Sequence, residues 1–139
     1  IDNDGDADVL VTVSNGAPRL FVNQAHPVNP SSAGRWLGIR ALDRHGRDAL
    51  GASLEVPSAQ APKLRRRIGA GSFLSAHDPR VLFGLGDGDG GPVDVDVTWP
   101  DGEVERFRDL DVGEYHLVRQ GNGGQSEGRQ SEGRQGDSP

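Results

Sequence analysis

The 139-residue chain carries 33% hydrophobic residues and 21 glycines, a thin apolar supply on a heavily punctuated backbone that suits short strands and turns better than packed helices. Its net charge of −6 argues against nucleic acid as a partner and suits the collection of divalent cations. No apolar run is long enough to span a membrane, and the lack of cysteine excludes disulfides and thiolate metal sites.

Methionine is lacking too, position 1 included, so the sequence reads as a fragment whose signal peptide, if any, lies upstream. The chain opens with Asp2, Asp4, Asp6 and Asp8 at every second position around Gly5. Alternating carboxylates converge on one hard cation if the backbone curls tightly, and Gly5 permits that curl. Val9-Leu10-Val11 reads as the strand that leaves the loop.

This opening resembles the calcium loops of FG-GAP/VCBS β-propeller repeats, with Asp4-Gly5 at the central acid-glycine step and Asp8 as the final acid. The resemblance implies calcium as the cofactor, with Asp2 and Asp4 as carboxylate ligands and Asp6 contributing its backbone carbonyl. The first acid of the pattern would precede Ile1, so binding by this stretch alone is expected to be weak. The bland alternative is a solvated acidic turn without metal. Asn15-Gly16 marks a turn and residues 19–23 a returning partner strand; such a hairpin is marginal unless it docks on a neighbour. The propeller remnant is thus placed at 1–24.

Residues 25–34 are loop chemistry and set a linker. Asn29-Pro30-Ser31 is no glycosylation acceptor, because proline occupies its middle position.

Short strands are predicted at 36–42, 51–56, 63–68, 81–83, 93–99, 103–108 and 115–118. Residues 93–98 alternate valine with a polar residue without a slip, and Pro100-Asp101-Gly102 makes the following turn. The expectation is an all-β module at 35–119, a small β-sandwich or partly open barrel.

Four blocks of this module, at 47–52, 71–75, 78–86 and 99–102, resemble the ASPIC/UnbV domain of the cartilage acidic protein 1-like family, which follows FG-GAP/VCBS propellers. Two departures from the family pattern stand out: Leu82 where a histidine is frequent, and His77 where a polar residue is usual. The turn at 88–91 also reads as longer than usual.

Ser75, His77 and Asp78 have the residue types of a nucleophilic triad, but three groups within four positions do not converge as such partners do. No catalytic residue is assigned. Arg47, Asp48, Asp78 and Arg80 form either a structural ion-pair cluster or the lining of a ligand groove. Residues 87–91 read as a turn rather than a second metal site, and Asp94 and Asp96 as one solvated sheet face. Lys63 and Arg65 to Arg67 read as a solvated, edge-protecting strand, and Trp36 and Trp99 as core anchors rather than a sugar platform. The tail at 120–139, with its repeated Ser-Glu-Gly-Arg-Gln, is expected to be disordered.

These readings converge on a non-catalytic binding module of a secreted calcium-binding protein, extracellular or periplasmic, whose partner is another protein or a surface or matrix component. The rivals are an accessory domain of an enzyme or biosynthetic protein and a carbohydrate-binding module.

Overall fold

The computed structural model describes residues 2, 4–23, 35–56, 63–71, 78–86 and 91–125. The expected linker, the triad-like Ser75 and His77, the acids Asp87 and Asp89, the blocked Asn29-Pro30-Ser31 and the repeated tail sequence lie outside the described residues.

Every helix or strand among the described residues is a strand: β1 (Val9–Val11), β2 (Arg19–Phe21), β3 (Arg35–Leu42), β4 (Ser53–Val56), β5 (Leu64–Arg67), β6 (Val81–Gly86), β7 (Val93–Thr98), β8 (Val104–Leu110), β9 (Tyr115–Arg119) and β10 (Gly124–Gln125). The chain is all-β, in several sheets that do not close into a barrel: a β1-β2 hairpin, a five-stranded sheet β10-β8-β7-β4-β5, and a three-stranded sheet β6-β3-β9.

Strand β7 shows why the larger sheet forms. Its Val95 and Val97 are fully buried while Asp94 and Asp96 point to the other face, the period-2 pattern of a sheet with one dry side. The turn into β8 closes with Gly102 N–H donating to the Trp99 carbonyl at 2.9 Å, and Gly102 takes the left-handed φ of 90° that this turn demands. In the smaller sheet β3 is central, antiparallel to β6 and parallel to β9.

The core lies between the inner faces. Leu37, Ile39 and Ala41 of β3 with Phe83 and Leu85 of β6 meet Leu54, Val56, Val95, Val97 and Trp99 from the larger sheet. Each fully buried large side chain contributes roughly 1.5–3 kcal/mol, so this layer contact dominates the stability of the module.

The basic run takes the place expected of it. Strand β5 is an edge of the five-stranded sheet, and its Arg65, Arg66 and Arg67 are exposed. The module, however, runs past residue 119: β10 pairs with β8, placing Gly124 opposite Arg106 and Gln125 opposite Glu105. Backbone pairing on β8, rather than any apolar pattern of its own, orders this piece of the expected tail.

Candidate interaction surface on the small sheet

The register of the three-stranded sheet places Trp36, Gly38 and Arg40 of β3 on its outer face. Beside them stand Leu82 and Gly84 of β6, and Tyr115 and Leu117 of β9. Gly38 has no side chain, and the Tyr115 ring fills the space; a Cβ on Gly38 would overlap that ring. Trp36 packs against the same ring with centroids 5.1 Å apart and planes tilted by 59°. The Arg80 guanidinium lies 4.5 Å from the ring centroid. A row Trp36–Tyr115–Arg80 thus crosses the sheet, with the cation favoured by the electron-rich ring face.

Arg80 is held by Asp78, whose carboxylate accepts its Nε at 2.8 Å and its backbone N–H at 2.9 Å. The Arg80 side chain holds the Asp78 carboxyl below the usual carboxylate range, with the Arg40 charge as a smaller contribution. Arg40 in turn donates to Asp48 through Nε at 2.8 Å and Nη2 at 3.3 Å. Of the four residues expected to cluster, Asp48, Asp78 and Arg80 therefore gather around Arg40. Arg47 does not join them. The tight turn at 43–47 folds it back onto Asp43, with 74% of its side chain exposed and a 2.8 Å ion pair to that carboxylate. Exposed pairs of this kind are worth roughly 0–1 kcal/mol each, so the cluster positions groups more than it stabilises the fold.

Sequence reading missed Arg40 and Tyr115. Gly38 inside a strand was the available signal, because a strand glycine marks a close approach, often of an aromatic ring from a neighbouring strand. Trp99 is only 1% exposed and offers no platform to a sugar; Trp36 is half-buried.

The acidic opening reaches this same face. Gly5 lies with its backbone against the Trp36 indole, so close that a Cβ there would overlap the ring, and its φ of 95° is one that glycine alone adopts without strain. Asp4 Oδ1 accepts the Asp6 N–H at 3.1 Å, and Asp8 Oδ1 accepts the Asn23 N–H at 2.8 Å, tying the loop to the end of β2. Asp4, Asp6 and Asp8 are half-buried and Asp2 is exposed. Among the described residues, no group of three or more histidine, aspartate or glutamate side chains is placed to hold a metal ion. The hairpin beyond the loop leaves Val9, Leu10, Val11, Leu20 and Phe21 exposed on both of its faces.

Comparison with known families gives a match to a model described as ASPIC and UnbV over residues 42–125, more than half the chain and running from the end of β3 to β10. No curated protein matches the chain.

Proposed function

The chain belongs to the ASPIC and UnbV family, and on that premise we propose that it acts as a non-catalytic interaction module whose small sheet seats an acidic, calcium-collecting loop. The observation that carries this reading is the Gly5 backbone lying flat on Trp36, itself braced by Tyr115 over Gly38. A side-chain-free contact on a braced ring is a built seat, and only a glycine fits it. The alternation of acids around Gly5 supports calcium as the ion that would gather them. The apolar residues left uncovered on both faces of the β1-β2 hairpin support its belonging to a larger sheet assembly, of the FG-GAP/VCBS propeller kind. In this reading the protein works outside the cytoplasm, where calcium is plentiful, and its partner is a protein or a surface or matrix component.

The test is a Ca²⁺ titration followed by thermal melting and by tryptophan emission, with Trp36→Phe assigning the emission change. Calcium should raise the melting midpoint and shift the Trp36 signal, and Asp4→Ala should abolish both. A titration that moves neither removes calcium from the reading. Gly5→Ala should expose Trp36 whether or not calcium is present; unchanged emission from that variant would remove the seat.

A further inference from the structure

Both β5 and β6 are edge strands, one in each sheet. Where they part, a cleft of about 370 Å³ opens between Arg66, Arg67 and Ile68 on one side and Asp78, Arg80 and Val81 on the other. Among the described residues, Arg66 and Arg80 present guanidiniums there against the one carboxylate of Asp78, a local excess of one positive charge in a chain whose net charge is −6, while Arg67 stands on the outer face with Arg65. A positive concavity of this kind concentrates anions against the field of the rest of the molecule.

Arg66 is the unusual member. In the β4-β5 register it stands opposite Leu54, which is fully buried, so it occupies the core side of its strand. It nevertheless remains exposed, because its side chain emerges into the cleft. The basic residues around it have work to do. Arg65 pairs with Glu55 at 2.9 Å, Lys63 reaches Glu55 at 3.4 Å, and Arg67 Nε donates to the Gly51 carbonyl at 3.3 Å. Across the cleft, Asp78 and the Tyr115 ring orient Arg80. Among the described residues the Arg66 guanidinium has neither an ion pair nor a hydrogen bond. Edge protection alone does not explain the arrangement. Lys63 and Arg65 already charge that edge from the outer face, and guarding β5 requires no oriented arginine on β6.

We propose that this cleft binds a single oxyanion group (carboxylate, sulfate or phosphate) carried by a small ligand. Arg66 supplies a planar fork that matches two oxygens at once, Arg80 flanks it, and Ile68 and Val81 form an apolar floor for the ligand's body. The site meets the Gly5 seat through Arg80, which stacks on the Tyr115 ring, but it uses none of the acidic loop's carboxylates and does not depend on calcium.

The experiment titrates the whole chain with inorganic sulfate, inorganic phosphate and glucuronate at constant ionic strength, following backbone amide resonances. At least one anion should give saturable shifts centred on Arg66, Ile68 and Arg80, and the one that binds tightest identifies the oxyanion's source. Arg66→Gln should weaken that binding about tenfold, while Arg65→Gln, on the outer face, leaves it unchanged. Arg66→Lys keeps the charge without the fork and should fall between the two. Circular dichroism and thermal melting show whether each variant is folded. No saturation with any of the three anions overturns the proposal. Equal weakening by Arg65→Gln and Arg66→Gln overturns it too, because only diffuse attraction would then be at work.

Discussion

Asp43 organises the turn between β3 and β4 with one side chain. Its Oδ1 accepts the N–H groups of His45 and Arg47, each at 2.9 Å, and its Oδ2 accepts Arg47 Nε at 2.9 Å. All three bonds favour the ionised form. The Arg47 backbone N–H does most, followed by the Arg47 side chain and the His45 N–H, and together they hold the carboxyl at about 2. With its folded value depressed, Asp43 supports the turn fully above the ordinary aspartate value of about 3.9, and that support is lost as pH falls toward 2. A carboxyl-carbon titration by NMR should therefore give a midpoint of about 2, and the protection of the His45 and Arg47 amides, relative to their intrinsic exchange rates, should fall only below about pH 4. Asp43→Asn should remove the pH dependence of that protection. A midpoint at the ordinary value would remove the argument. The same turn shows what a sequence conceals at this scale. Asp48, Asp78 and Arg80 stood out by their blocks, but Arg40 reads as one more strand residue. Only the bridge between Leu42 and Asp48 brings that aspartate alongside β3. Arg47, adjacent in sequence to Asp48, is drawn off by Asp43 four residues back.

At the scale of elements, what was legible followed alternation. Valines at every second position of β7 identify both a strand and its dry face, because the pleat converts spacing directly into sidedness. Strand β10 has no such pattern. Its two residues are held by pairing to β8 and by a carboxylate that sequence reading passed over. Glu105, only 2% exposed, accepts the Gly121 N–H at 2.7 Å and the Gly123 N–H at 2.8 Å, fastening the turn between β9 and β10. Both glycines precede β10, so the signal lay in a strand distant in sequence. Glu105→Ala orphans both N–H groups and should cost roughly 1–3 kcal/mol in chemical denaturation, with Gln125 losing its exchange protection. Glu105→Gln retains an acceptor and should lose less. Protection at Gln125 that survives the alanine variant would show that pairing with β8 suffices. The parallel pairing of β3 with β9 was equally out of reach, since it joins strands more than seventy residues apart through backbone groups that every residue carries.

At the scale of the molecule, the hairpin and the module stand in an unequal relation. Among the described residues, every member of the buried core falls between Leu37 and Val118, and none lies in the opening segment or its hairpin. Gly5 seats on Trp36 of the module, while large apolar side chains of β1 and β2 face solvent. Two short strands with both faces wet bury too little to offset their ordering entropy, and their open edges and apolar faces favour pairing with another copy. Removing residues 1–23 should therefore leave a module that unfolds cooperatively, its melting midpoint shifted by no more than the few degrees that about 1 kcal/mol represents. The truncation should move Trp36 emission to the red, because the indole loses its cover. It should also abolish concentration-dependent association of the whole chain, which sedimentation velocity measures across a dilution series. If the truncated chain loses its cooperative transition, the hairpin is part of the fold's foundation after all. If association persists without it, the apolar strands are not the surface through which copies meet.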